Sequence, residues 1–277
     1  MTLPDFSPLT FTAIQAALNA GKILTKGFGT NYEVSTKPGR QNFVTEFDKA
    51  SEACIISFIH DRYPTHHFLA EESGFSHHSK EDAILWIIDP LDGTTNFARH
   101  IPIFTISIAA YYQNEGLCGI VYQPITQELF ITEKGKGAFL NENRLHVSET
   151  KNLKDALIIA SLPYDPSFVP LFNLEKLVSD SQEGAVLRNL GSAALALAYI
   201  AAGKVDAFWM YHLFPWDLAA GQLLIEEAGG VWNSYGSLPP FNLETVSSRF
   251  NSPSHILASN SILHPHLQEF LIPQQSG

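Results

Sequence analysis

The stretch Trp86-Ile87-Ile88-Asp89-Pro90-Leu91-Asp92-Gly93-Thr94-Thr95-Asn96-Phe97 decides how this chain is read. Its apolar start reads as a buried strand, which delivers two carboxylates, three residues apart, into a tight turn. Pro90 stiffens that turn, and its missing N–H leaves nothing to compete with a ligand. The Gly93-Thr94-Thr95 that follows can present free backbone N–H groups, as the N-terminus of a helix does. Asp89 and Asp92 are therefore candidates to hold hard metal ions, and the N–H groups of Gly93 and Thr94 candidates to receive phosphate oxygens. Taken alone, Asp-Pro and Asp-Gly are ordinary strand-end and turn signals.

Other acidic groups give the stretch its weight. The short apolar run Phe68-Leu69-Ala70 ends in Glu71-Glu72, and Asp217 in Phe214-Pro215-Trp216-Asp217 opens a helix rich in small residues. Each has a plain reading: Asp217 as an N-cap, Asp48 as a capping-box acid after Thr45, Glu72 facing solvent, Glu226 and Glu227 on a helix surface. Together they form three acidic clusters at the ends of elements, and α/β proteins place ligand clefts at such ends.

Outward from this region, the hydrophobic period organises the chain. Apolar residues from Leu9 to Leu24 fall on one helical face, stopped by Gly27 and Gly29, and a second helical pattern runs from Thr45 to about Arg62 before Pro64. From Phe104 to Val147 the pattern is an antiparallel meander with turns at Asn114-Glu115-Gly116, Gly135-Lys136-Gly137 and Asn141-Glu142-Asn143. After Thr150, strands near 157–160, 186–188, 205–210 and 230–232 are separated by helices at 191–202 and 217–228. The expected division is an α+β half over 1–150, with the antiparallel sheet and most metal ligands, and an α/β half over 151–277 that completes the site.

Composition narrows the function. With 17 Lys+Arg against 28 Asp+Glu the net charge is −11, which repels nucleic acid and acidic membranes, so a phosphate-bearing partner needs cations. The 45% hydrophobic content is enough for a large core and excludes disorder and disulfide-dense scaffolds. Cys54 and Cys118 are the only cysteines and lie at no metal or redox spacing, so a reduced, cytoplasmic protein is expected. The longest apolar run, Ala193 to Ala202, is half of what a bilayer needs, and Met1 to Thr10 holds no Lys or Arg, so neither a span nor a secretion signal is expected. His66, His67, His77 and His78 read as exposed loop residues rather than a zinc site, lacking helical i, i+4 spacing.

Ala70-Glu71-Glu72-Ser73, Asp89-Pro90-Leu91-Asp92-Gly93-Thr94-Thr95-Asn96-Phe97, and Pro215-Trp216-Asp217 with Glu227-Ala228-Gly229-Gly230 resemble the signatures of the inositol monophosphatase family, a branch of the lithium-sensitive, magnesium-dependent sugar phosphatases. The resemblance runs in order over nearly the whole chain. It implies a layered αβαβα sandwich, the sugar phosphatase fold, and hydrolysis of a small sugar or polyol phosphate monoester. It implies that Glu71, Asp89 and the Leu91 carbonyl ligate a first Mg²⁺, that Asp89, Asp92 and Asp217 ligate a second, and that a third, weaker ion sits beside the first. Glu71 and Thr94 would position the attacking water, and Asp48 would hydrogen-bond Thr94. Lys37 matches a loop lysine, and Gly191, Ser192 and Ala193 match the segment lining the sugar pocket; a homodimer is also implied. All these side-chain ligands are oxygens, a donor set that selects Mg²⁺, or Mn²⁺ as substitute, over Zn²⁺.

Thr95 stands where the 3′-phosphoadenosine and histidinol phosphate branches usually carry a lysine. This leaves inositol phosphates, with fructose 1,6-bisphosphate and NADP or 2′-nucleotides as alternatives. Met210 stands seven residues before Asp217, where inositol enzymes usually have a ring-contacting Glu. A thioether is a poor acceptor, so a polyol contact is lost; Tyr211 and His212 are nearby substitutes, but as strand-end residues they read first as structural. The rival of another class is a non-catalytic regulatory partner protein, for instance of RNA polymerase or translation, that keeps the fold.

Overall fold

Alternation along the strands sorts the side chains into layers. The computed structural model describes residues 4–32, 34–36, 43–76, 83–160, 185–235 and 254–271. Lys37, His77 and His78 lie outside the described residues, as does the side chain of His212. Helix α1 (Pro8–Gly27), capped by the Ser7 side chain, is followed by a hairpin of β1 (Val34–Thr36) and β2 (Phe43–Thr45). Thr45 then caps α2 (Glu46–His60) in a capping box completed by Asp48.

An eight-stranded sheet is built from β3 (His67–Ala70), β4 (Gly74–Ser76), β5 (Leu85–Asp92), β6 (Thr105–Tyr112), β7 (Glu115–Gln123), β8 (Glu128–Glu133), β9 (Gly137–Leu140) and β10 (Asn143–Arg144). Its spatial order is β10-β9-β8-β7-β6-β5-β3-β4, antiparallel except for the parallel pair β3 and β5. The antiparallel meander read from Phe104 to Val147 is β6 to β10. A short helix, α3 (Thr94–Ala98), follows β5.

The second sheet has five strands, β11 (Leu157–Ala160), β12 (Val186–Arg188), β13 (Ala207–Leu213), β14 (Gly230–Tyr235) and β15 (Ser254–Asn260), in the order β12-β11-β13-β15-β14. Helices α4 (Ala193–Ala201), α5 (Pro215–Glu227) and α6 (His264–Leu271) complete the described elements.

On β5, Trp86 and Ile88 pack with α1 and α2, while Leu85 and Ile87 pack with α4 and α5. On β13, Phe208 and Met210 join that same middle core, while Trp209 and Tyr211 point the other way, with Leu263 and Leu267 at the start of α6. The layers are therefore α1 and α2, the large sheet, α4 and α5, the small sheet, and α6, an αβαβα sandwich. Helix α4, buried at nearly every position, is apolar all round because it lies between two sheets. Among the described residues no helix is long and apolar enough to cross a membrane.

Candidate metal centre

The strand that begins at Leu85 does not turn at Asp89; it continues to Asp92. Strict alternation would send side chains three residues apart to opposite faces of the sheet. The pairing prevents this, because Asp89 faces Ser107 and Asp92 faces Thr105, so three steps along β5 answer two along β6. This β-bulge at Pro90-Leu91 turns both carboxylates toward the middle layer. Proline is tolerated there because a bulge frees its position from the ladder.

Gly93 then makes the turn into α3 at φ 102°. A Cβ there would sit 3.0 Å from the Ile103 carbonyl oxygen and 3.2 Å from that of Gly191, so glycine is required twice over. Gly191, at φ 71°, is equally constrained, since its Cβ would come within 2.9 Å of the Asn96 amide nitrogen. Asn96 ties the two segments, donating to the carbonyls of Ile103 (2.7 Å) and Leu190 (2.8 Å).

Asp89, Asp92 and Asp217 meet at this seam with carboxylate oxygens all within 4.8 Å of one another. Asp217 is not the N-cap of its helix. Phe214 holds that place, and Asp217 is the third helical residue, its carboxylate accepting the Phe214 N–H at 2.6 Å. Phe214 and Trp216 stack at 5.1 Å on either side of Pro215, which fixes where the helix starts. Glu71 follows the end of β3, its N–H donating to the Ile88 carbonyl at 3.2 Å, so the ends of the parallel strands lie side by side.

The electrostatics of the cluster are one-sided. Burial raises the Asp89 carboxyl well above the usual carboxylate range, and Glu71, Asp92 and Asp217 raise it further. Asp217 is likewise pushed well up, by burial and then by Asp92 and Glu71, against the lowering effect of the Phe214 N–H. Asp92 is raised by burial but wrapped in donors: Ser192 Oγ at 2.6 Å, the N–H groups of Ala194 at 2.7 Å and Ala193 at 3.3 Å, and Thr105 Oγ1 at 3.4 Å. It sits on the N-terminus of α4, whose free N–H groups favour a negative charge. Buried carboxylates that repel one another, at oxygen-only positions, fit a hard divalent cation, which would cancel the charge that burial penalises.

Beside the cluster, the half-buried Thr94 hydroxyl lies 3.0 Å from Asp48 Oδ1 and 3.1 Å from the Leu91 carbonyl. It has one proton for two acceptors. Asp48, buried, also accepts the Thr45 N–H (2.8 Å) and hydroxyl (2.5 Å), and its carboxyl is raised by burial against those bonds. Asp48 thus serves both the capping box and the Thr94 contact.

Sequence reasoning missed Glu52 and Ser51, one helical turn beyond Asp48 on α2. Ser51 Oγ donates to the Pro90 carbonyl at 2.8 Å, and Glu52 Oε2 accepts the Glu72 N–H at 2.8 Å. The available signal was two polar residues at i+3 and i+4 on a face otherwise carrying Ile55 and Ile59. Glu72, expected in solvent, is half-buried and tied into this turn. Glu227, expected on the surface, clamps the β8–β9 turn by accepting the N–H groups of Gly135 (2.7 Å) and Gly137 (2.8 Å).

One further expectation fails. His66 is no exposed loop residue: it stacks on Tyr63 at 4.6 Å and its Nδ1 accepts the Trp86 indole N–H at 3.0 Å, while His67 is fully buried in β3. Tyr211 is structural, as the first of its two readings had it: alternation on β13 puts it on the face opposite Met210, where its hydroxyl accepts the Trp209 indole N–H at 2.7 Å.

The sequence model of the inositol monophosphatase family matches residues 5–276. The protein named Nus factor SuhB from Pseudomonas aeruginosa is 37% identical over 274 residues, 94% of this chain and 97% of that protein. The crystal structure of extragenic suppressor protein suhB from Bartonella henselae superposes with a TM-score of 0.84 at 35% identity, covering 95% of this chain and 98% of the other. The inositol monophosphatase from Anabaena (Nostoc) sp. PCC 7120 superposes with a TM-score of 0.77, also at 35% identity, over 97% of each chain. With the family model matched almost end to end and the layered fold shared with these structures, the chain belongs to the inositol monophosphatase family.

Proposed function

We propose that the protein is a Mg²⁺-dependent phosphoric monoester hydrolase acting on small sugar or polyol phosphates. The observation that carries this reading is the mutually repelling set of Asp89 and Asp92, both buried, and the half-buried Asp217, with the charge of Glu71 acting on it, beside a Thr94 hydroxyl held by Asp48. Glu71, Asp89 and the Leu91 carbonyl would hold one Mg²⁺, and Asp89, Asp92 and Asp217 a second, with a weaker third beside the first and Mn²⁺ as a substitute. When bound, the ions lower the pKa of water and neutralise the phosphate and the departing alkoxide.

The chain's own residues supply orientation. The Thr94 hydroxyl donates its hydrogen bond to Asp48, which leaves an oxygen lone pair for the reacting water. Glu71 would accept from the same water and set it in line with the ester. The Gly93 and Thr94 N–H groups, at the start of α3, receive phosphate oxygens. Water oxygen bonds to phosphorus, the phosphorus–alkoxy bond breaks, and the alcohol leaves with a proton, so no phosphoenzyme is needed. Gly191, Ser192 and Ala193 border the alcohol side, and the same segment grips Asp92.

Met210 is buried in the middle core and offers no strong acceptor to a ring hydroxyl. We therefore place myo-inositol 1-phosphate among several accepted esters, with 2′-AMP, glycerol 2-phosphate, fructose 1,6-bisphosphate and NADP competing well. The same reading makes the protein a cytoplasmic homodimer, inhibited by lithium. Phosphate release from this panel during a Mg²⁺ titration tests it; release that needs Mg²⁺ and is spread across the panel is expected. Inositol phosphates preferred by orders of magnitude would overturn the argument from Met210. The name Nus factor, carried by a relative, favours a second reading, a regulator that keeps the fold and acts through a macromolecular partner. Absence of Mg²⁺-dependent release from every ester would favour that reading instead.

A further inference from the structure

Three consecutive contacts run from one face of α2 to three separate pieces of the site. Asp48 reaches Thr94 (3.0 Å), Ser51 reaches the Pro90 carbonyl (2.8 Å), and Glu52 reaches the Glu72 N–H (2.8 Å). The spacing i, i+3, i+4 places all three on the same side of the helix, and all three are buried. Glu52 also accepts from the side chain and backbone of Ser73, so its carboxylate closes the Glu71–Ser73 turn from behind.

A buried carboxylate costs stability unless its lone pairs are filled, and here backbone and hydroxyl donors of a single turn fill them. That turn bears Glu71, whose charge acts on both Asp89 and Asp217. Glu71 is the first residue past β3, which ends at Ala70, and stands in the turn that follows. Its own N–H is held by the Ile88 carbonyl, and the two residues that follow it are held by Glu52.

We infer that Glu52 is a positioning residue of the metal centre, and that α2 acts as a ruler setting the Glu71 turn, the Pro90 bulge and Thr94 at fixed mutual distances. The inference rests on the metal-dependent reading above. Groups behind metal ligands govern affinity through the orientation they impose.

The test is Mn²⁺ binding by calorimetry to the full chain, with Glu52→Gln, Ser73→Ala and Lys154→Ala compared at a temperature where each is folded by circular dichroism. Glu52→Gln keeps the shape and exchanges an acceptor for a donor facing N–H groups. It is expected to weaken Mn²⁺ binding by about 10- to 100-fold, the range for lost supporting bonds. Ser73→Ala weakens it by a smaller factor in the same direction, and Lys154→Ala, an exposed lysine of the other half of the chain, leaves it unchanged. A merely structural role would lower the melting temperature and leave the affinity of the folded protein at the wild-type value, and that result overturns the inference. If Glu52→Gln does not fold, Ser73→Ala decides: weakened affinity supports the inference and wild-type affinity refutes it. Wild-type protein that binds no Mn²⁺ removes the metal-dependent reading and this inference together, whereas binding and turnover intact in both variants removes the inference alone.

Discussion

Asp89 and Asp92 are both buried, three residues apart on the same strand, and live in opposite surroundings. Asp89 accepts the Leu91 N–H at 3.0 Å and otherwise faces the negative charges of Glu71, Asp92 and Asp217. Asp92 is held by donors from Ser192, Ala193 and Ala194 at the start of α4. The difference separates two tasks. Asp89 is a destabilised charge awaiting a cation, and Asp92 is the joint through which the two sheets' halves share one site.

Replacing each acid breaks the comparison in a different way. Asp89→Asn should give the largest effect, with Mg²⁺-dependent phosphate release abolished while circular dichroism stays native. Thr94→Ala comes next. Losing the hydroxyl held by Asp48 should lower kcat by about 100-fold, as for a lost proton-handling group, with divalent-ion affinity much less affected.

The stability of the metal-free proteins sharpens the contrast further. Asp92→Asn turns an amide NH₂ toward the Ala194 N–H and Ser192 hydroxyl, and should cost about 2 kcal/mol in urea denaturation. Asp89→Asn relieves repulsion and should stabilise. Two substitutions of the same chemistry, three residues apart, thus move stability in opposite directions.

The smallest effect is in pH. A carboxyl raised by burial and like charges keeps its proton in the folded state where the unfolded chain has lost it, so stability falls as pH rises through that window. Without divalent ions, wild type should lose stability relative to Asp89→Asn between about pH 4 and the raised folded value. Mg²⁺ should cancel that loss. Urea melts of both proteins across this range, with and without Mg²⁺, measure it.

Much of this arrangement was legible in the residues. The capping box at Thr45 and Asp48, the meander of β6 to β10 and the helix after Pro215 follow from local patterns that tertiary contacts reinforce. The bulge was not legible: Asp-Pro-Leu-Asp-Gly reads as a turn, and only pairing with Ser107 and Thr105 reveals a strand that continues with its alternation broken. Glu52 was hidden for a related reason, since its partners are backbone N–H groups of a distant turn and leave no side-chain signature. His67 was misread because a histidine pair before an apolar run resembles a loop, whereas the strand begins at His67 itself. Strand β15 and helix α6 lie beyond the last element read from the periodicity, and their short apolar runs are decided by pairing with β13 and β14.

The central claim is that acids from the ends of β5 and the start of α5 form one cation site. Titration of Mn²⁺ into wild type, Asp89→Asn and Asp217→Asn, followed by the loss of its free-ion electron paramagnetic resonance signal, addresses it directly. Saturable binding by wild type is the predicted result, with the site that Asp89, Asp92 and Asp217 would share missing from both variants and the first site missing from Asp89→Asn as well. Equal binding by all three proteins would contradict it.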